Sequence, residues 1–240
     1  MAKRERTLRF NNRLHHVTLP LLGRAYQALR RDAAAGVDGM DWAGYGGGLS
    51  ERLVRVHEAL QSGHYRARPV RRQWIAKSDG RQRPLGITCV EDKVVQQALV
   101  WMLEAIYETD FLGFSDGFRP GRRQHAALDG LYMAVITRKV GDVLDADIEA
   151  CFDRIEHSKL LAVLGRRIAD RRLLRLIEQM LTAGVVDGGA WQPSTVSGSS
   201  PRGGVFIVVG KRVLARRHRS VGTGVAAVGT REGVDRALCG

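Results

Sequence analysis

Cysteine is scarce in this chain, with three in 240 residues. Cys89, Cys151 and Cys239 form no close pair and have no metal-ligand spacing. That excludes a disulfide scaffold and a thiolate zinc site, and it suits a reducing, cytoplasmic setting. The opening Met1-Ala2-Lys3-Arg4-Glu5-Arg6 is basic, but no apolar core follows it as in a secretory signal. No apolar run approaches the length of a membrane span, so a membrane partner is not expected. The most informative shortage is of negative charge. There are 25 acidic side chains against 38 Lys and Arg, a net charge of +13, and the pI is near 10.5. Such an excess calls for a polyanion, with nucleic acid ahead of an anionic membrane. Residues 206–240 hold seven basic and two acidic side chains, which leaves eight of the excess charges in residues 1–205.

What is present is enough for a core: 44% of residues are hydrophobic, in a length that suits one large domain or two small ones. Residues 1–16 are polar and basic and read as a loose arm. Leu22, Ala25, Tyr26 and Leu29 recur at helical spacing between Leu19 and Arg31. Gly36-Val37-Asp38-Gly39 reads as a turn, and Gly44 to Gly48 as a glycine-rich link. Ser50 is placed to cap a helix with Leu53, Val54, Val56, His57 and Leu60 inward, stopped by Gly63. Residues 64–89 thread Arg66, Arg68, Arg71, Arg72, Lys77, Arg81 and Arg83 through apolar residues. The pattern predicts two strands joined by Ser78-Asp79-Gly80-Arg81. A basic hairpin of this kind is either a phosphate clamp or an exposed sheet edge guarded by charge.

Thr88 with Glu91 forms a capping box that opens a helix to about Thr109. Its apolar face is Val95, Ala98, Leu99, Met102, Leu103 and Ile106, with Gln96 and Gln97 on or beside it, either satisfying polar groups or touching a ligand. A loop at Ser115–Gly121 adds Arg119, followed by Arg122 and Arg123. A helix from Gln124 to Arg138 is expected to turn Ala127, Leu128, Leu131 and Val135 inward. Two more amphipathic helices follow at His157–Ile168 and Arg171–Thr182, ended by Ala183-Gly184, and residues 185–205 read as a Gly- and Ser-rich hairpin or loop.

Between them lies Val143-Leu144-Asp145-Ala146-Asp147-Ile148-Glu149-Ala150-Cys151-Phe152-Asp153. It starts as an apolar strand and breaks into carboxylates, three Asp and one Glu within nine residues. Clustered carboxylates in a basic chain suit Mg²⁺, which prefers oxygen ligands and handles phosphates. The same stretch also reads as a solvated turn after a strand.

Several separated blocks, in order, resemble the reverse transcriptases encoded by group II introns and their retron-type relatives. The resemblance covers about residues 15–205. It rests on Gly36-Val37-Asp38-Gly39, Ile75-Ala76-Lys77-Ser78-Asp79-Gly80, Arg83-Pro84-Leu85-Gly86-Ile87, and Asp92-Lys93-Val94-Val95-Gln96-Gln97-Ala98-Leu99. It continues through Gly117-Phe118-Arg119-Pro120-Gly121, Asp145-Ala146-Asp147-Ile148, Cys151-Phe152-Asp153 and Pro201-Arg202-Gly203-Gly204-Val205. The resemblance implies an α+β right-hand polymerase fold: a basic arm over 1–16, fingers over 17–140, and a partial palm over 141–205. A non-matching basic tail over 206–240 completes the division.

The activity implied is RNA-templated DNA synthesis, with a role in intron splicing and mobility. The partners implied are an RNA template or intron RNA, a DNA primer and deoxynucleoside triphosphates. By the same resemblance Asp147 is the first catalytic aspartate and ligates both Mg²⁺ ions, and the Ile148 carbonyl contributes to a metal. Phe152 packs under the sugar and screens out a 2′-hydroxyl. Lys77 and Arg83 hold the triphosphate, Arg202 sits in the nucleotide-side block, and Arg71, Arg72, Arg119, Arg122 and Arg123 contact nucleic acid. Asp145 and Asp153 support the local turn or a helix N-terminus.

The departures are as informative. Arg202 stands where the family has Gln, and Asp116 where it has an aromatic. After Val205 the resemblance stops, and a Tyr-Ala-Asp-Asp hairpin carrying the remaining catalytic carboxylates is absent. Residues 206–240 contain only Glu232 and Asp235 as acids. The reading that follows is a truncated or frame-shifted copy, its last 35 or so residues out of the ancestral frame, catalytically incomplete. A diverged member completed by another chain, a non-catalytic maturase-like RNA-binding remnant, and a poorly folding product are the alternatives.

Overall fold

The computed structural model describes residues 8–76, 80, 82–111, 116, 119, 121–138 and 155–193. They form an α+β fold of helices around one central helix, with a small mixed sheet at one side.

Helix α1 (Leu19–Gln27) is started by Thr18, whose hydroxyl accepts the Leu21 N–H, and by Pro20 in its first turn. It ends short of Arg31. The Tyr26 carbonyl, which a longer helix would use internally, accepts the Trp42 indole N–H at 3.2 Å, and the Tyr26 and Trp42 rings stack at 4.7 Å. The glycine-rich link turns out to contain a helix, α2 (Trp42–Gly46), because Asp41 caps it through the Gly44 N–H at 2.7 Å. Gly46 must be bare there, since a Cβ would come within 2.5 Å of the Tyr26 hydroxyl. Helix α3 (Leu49–Ser62) is preceded by Gly48 at φ +76°, so Ser50 lies inside its first turn and does not cap it. Leu53, Val56 and Leu60 are buried, Val54 is exposed, and Gly63 ends the helix in the left-handed region as expected.

Helix α4 (Val90–Tyr107) is the core's axis: Val94, Val95, Ala98, Leu99 and Leu103 have no exposed surface. The N-cap position is Cys89 rather than Thr88, with no side-chain cap bond. Helix α1 packs on α4, and α3 packs on α1. Helix α6 (His157–Leu164) and the amphipathic α7 (Arg171–Leu181) add Leu160, Leu164, Leu173 and Ile177 to the same buried cluster. Each such side chain contributes about 1.5–3 kcal/mol by leaving water.

Helix α5 (Gln124–Arg138) departs from expectation. Leu128, Tyr132, Met133, Val135 and Ile136 are exposed. The helix is apolar on every side, so its periodicity singles out no inward face.

Residues 8–16 are also not loose. Phe10 makes a parallel bridge to Ile168, Leu14 is buried, and the Arg13 and Leu14 N–H groups both donate to Asp170.

The expected hairpin forms. Strand β1 (Val70–Ala76) pairs antiparallel with β2 (Gln82–Ile87), from Arg71 opposite Ile87 to Ala76 opposite Gln82. A second hairpin, β3 (Val185–Asp187) and β4 (Ala190–Gln192), turns on Gly188 and Gly189, both at positive φ. Strand β3 runs parallel to β1, giving the order β2-β1-β3-β4. The sheet therefore joins two segments more than a hundred residues apart.

Candidate nucleic-acid interface

Strand alternation divides the sheet into two faces. One carries Val70, Arg72, Trp74 and Ala76. The other carries Arg71, Gln73 and Ile75, with Ile87 and Leu85 from β2 and Val186 and Trp191 from the second hairpin. Arg83 pairs with Ile75 in the register; its side chain lies outside the described residues.

The root of the first hairpin is braced against the loop that contains Gly36-Val37-Asp38-Gly39. The Arg71 guanidinium donates twice to the Ala35 carbonyl, from Nε at 3.1 Å and Nη2 at 2.7 Å. Lys93, on α4, donates to the Ala34 carbonyl at 2.9 Å, and Arg68 pairs with Asp38 at 2.9 Å. Gly36 lies against Cys89, where a Cβ would meet backbone at 2.6 Å. Three cations thus hold three points of one short loop. Burial lowers the Lys93 pKa; Arg71 adds to that, while Cys89 and Asp38 oppose it.

Beneath this brace lies Asp92, in the first turn of α4. Its Oδ1 accepts the Tyr65 hydroxyl at 2.6 Å, and its Oδ2 the Arg68 N–H at 3.3 Å. Burial pushes its pKa up to about 6, against the pull of those two donors. Asp92 and Lys93 stood in a family-like block, yet neither was singled out as a functional residue. Their spacing carries no signal, because their partners Tyr65 and Ala34 are far away in sequence.

The remaining predicted arginines fall into different environments. Arg72 pairs with Asp187 at 3.6 Å and lies 5.8 Å over the Trp74 ring. Arg119 donates from Nη2 and Nε to Glu108 Oε1, at 2.6 and 3.1 Å, and packs on Phe111. Arg122 pairs with Asp116 at 3.1 Å, so the acid at the family's aromatic position has a local partner. Arg123 is exposed, and Gln96 is buried while Gln97 is half-buried. Lys77, Asp147, Ile148, Phe152 and Arg202 lie outside the described residues. Among the described residues no cluster of His, Cys, Asp and Glu could hold a metal, and no helix is long and apolar enough to cross a membrane.

Comparison with known proteins gives one consistent result. The family described as reverse transcriptase (RNA-dependent DNA polymerase) matches residues 75–206. The group II intron-encoded protein LtrA of Lactococcus lactis subsp. cremoris is 35% identical over 186 residues, covering 76% of this chain and 30% of LtrA. Protein YkfC of Escherichia coli K12 is 35% identical over 176 residues, covering 71% of this chain and 45% of YkfC. The chain thus spans less than half the length of these relatives. In fold, it matches a chain of the partial Cas6-RT-Cas1--Cas2 complex with a TM-score of 0.53 at 16% identity, over 84% of this chain and 33% of that one.

Proposed function

The chain belongs to the reverse transcriptase (RNA-dependent DNA polymerase) family, in its group II intron-encoded type, and on that premise we propose that it is an RNA-directed DNA polymerase by descent. The observation that carries this is the unbroken family match from residue 75, inside β1, to residue 206, beyond Asp147 and Arg202. In this reading residues 17–140 serve as fingers and 141–205 as part of the palm. Template RNA, primer DNA and deoxynucleoside triphosphates are the substrates, and intron RNA is the partner in splicing and mobility.

Lys77, which follows β1 in the sequence, and Arg83 of β2 neutralise the triphosphate. Phe152 packs beneath the sugar, and Arg202 lies on the nucleotide side. Arg71, Arg72, Arg122 and Arg123 add to the field that binds the nucleic-acid backbone, with the salt dependence of all such binding. Arg119 acts by ordering its own loop through Glu108.

Asp147 and the Ile148 carbonyl are hard oxygen donors of the kind Mg²⁺ takes, so the donor set fits that ion. These two residues would hold the ion, and the chemistry it would supply there is charge neutralisation for a 3′-hydroxyl nucleophile and a pyrophosphate leaving group. A two-metal site needs further carboxylates, and residues 207–240 hold no adjacent Asp pair. The 240 residues alone are therefore proposed to bind template RNA without completing synthesis. This brings them close to the maturase-like reading, in which RNA binding is the function.

Magnesium-dependent primer extension on an RNA template decides between them. The expected result is salt-sensitive RNA binding that survives Asp147→Ala, with no extension. Extension that Asp147→Ala abolishes shows that the catalytic site is complete without Tyr-Ala-Asp-Asp.

A further inference from the structure

Trp191 is 60% exposed, on a strand rather than a loop. Its indole lies against the backbone of Gly184, where a Cβ would come within 2.6 Å of Nε1 and 3.0 Å of Cε2. Gly184 is at φ +82° and its carbonyl accepts the Val70 N–H at 3.0 Å, so the support is itself tied into the sheet. The ring is thus held at a fixed place with much of its surface in water. A ring held flat in this way presents its face to any planar partner that stacks on it.

The register shows what lies beside it. Trp191 is opposite Val186, Val186 opposite Arg71, and Arg71 opposite Ile87, a row that crosses all four strands on one face and is open at its Trp191 end and buried at Ile87. Exposed Ile75 lies further along that face towards the hairpin tip. The cations of this region, Arg71 and Lys93, bond carbonyl oxygens, which carry no counter-charge of their own. An exposed aromatic on the same face as Arg71, with Lys93 of α4 beside that arginine, matches the stacking-plus-electrostatics design of single-strand binders.

We propose that Trp191 is a stacking platform for an unpaired base of a single-stranded RNA laid across the sheet face that it shares with Arg71 and Ile75. The proposal rests on the reading above that this chain binds RNA. Trp74 is the internal control. It is also exposed, at 48%, but it stands on the opposite face beside Arg72, which is paired with Asp187.

The test uses the full 240-residue chain and a short, unstructured, fluorescein-labelled single-stranded RNA, titrated at several salt concentrations. Trp191→Ala is expected to weaken binding about five- to hundredfold, the effect of losing one stacked base. The slope of log affinity on log salt is expected to stay unchanged, because no phosphate contact is removed. Trp74→Ala is expected to stay within about twofold of the parent, since it removes no stacked base. Trp191→Tyr retains a ring, so its affinity should persist while the RNA-induced quenching of tryptophan fluorescence falls; this arm serves if the alanine variant does not fold. The same oligomer as DNA, bound with equal loss in Trp191→Ala, extends the platform to either strand. Parent binding unchanged by Trp191→Ala, or quenching unchanged in Trp191→Tyr, overturns the platform alone. A parent chain that binds no single strand overturns the RNA-binding reading and the platform with it.

Discussion

Asp92 and Asp170 are both buried carboxylates at the start of a helix, and they are held in opposite ways. Asp170 caps α7 through the Arg172 and Leu173 N–H groups on one oxygen, and it takes the Arg13 and Leu14 N–H groups on the other. Burial pulls its pKa up, but the four backbone donors outweigh burial and the net shift is downward. Asp92 has one hydroxyl and one N–H, and burial wins, placing its pKa at about 6. Asp92 is also the more deeply enclosed of the two, so fewer donors and a larger loss of water act together to raise its pKa. Asp170 is a structural anion that ties the N-terminal segment to α7. Asp92, under the brace at the hairpin root, is poised to change its charge near neutrality.

A third buried carboxylate, held by a cation instead of N–H groups, sets the largest expected effect. Asp110 forms a buried ion pair with Arg167 at 3.2 Å, and both side chains are almost wholly enclosed. Asp110→Ala leaves a buried guanidinium without its charge partner and should cost about 3–5 kcal/mol in urea unfolding. Next is Asp170→Ala, which orphans four backbone N–H groups. A loss of about 2–4 kcal/mol is expected, with increased amide exchange in residues 8–16 as well as at the start of α7.

The pH dependence sharpens the contrast. The folded pKa of Asp92, about 6, lies above the value of about 3.9 for an unfolded Asp. Its contribution is fully present below the unfolded value and is lost as pH rises through about 6. Asp170 has the reverse sign: its contribution is present above the unfolded value and is lost as pH falls through its lowered folded value. Stability measured by urea midpoint should therefore peak in mildly acidic solution. Asp92→Asn should abolish the decline between pH ~4 and ~6, a difference on the order of 3 kcal/mol, and leave the acid limb intact. The smallest effect is expected from Tyr65→Phe. Removing the hydroxyl that favours the ionised form should move the Asp92 transition upward by less than about one pH unit, followed by the same urea midpoints or by NMR titration.

Much of the scaffold was legible in the residues. The first hairpin could be read from its alternating pattern, and its two strands pair as that pattern predicts, while Ser78, Asp79 and Arg81 of the expected turn lie outside the described residues. The buried face of α4 could be read from its period, because every apolar position named there is enclosed. Helix α2 was hidden because its glycines suggest a link, while the cap at Asp41 and the Tyr26–Trp42 stack act together only once the chain has folded back. The N-terminal segment was hidden because polar composition says nothing about backbone N–H groups that dock on a carboxylate some 157 positions away. The arginines were all legible as charge and none as partner. Arg71 bonds a carbonyl and Arg119 a glutamate, a difference that no spacing encodes.

By itself, then, the sequence determined what its neighbours along the chain control: the helical and strand segments, the basic excess and the ordered blocks of a reverse transcriptase. These depend on side-chain period, turn chemistry and residue identity, all local properties. Only the tertiary structure decided which cations are committed to the protein's own backbone, which aromatic of the sheet faces the same way as Arg71, and which buried aspartate keeps its charge. Those outcomes depend on burial and on donors brought together from distant segments. Electrostatic energies change several-fold between water and a protein interior, so they are settled by the packing around each group and not by its identity.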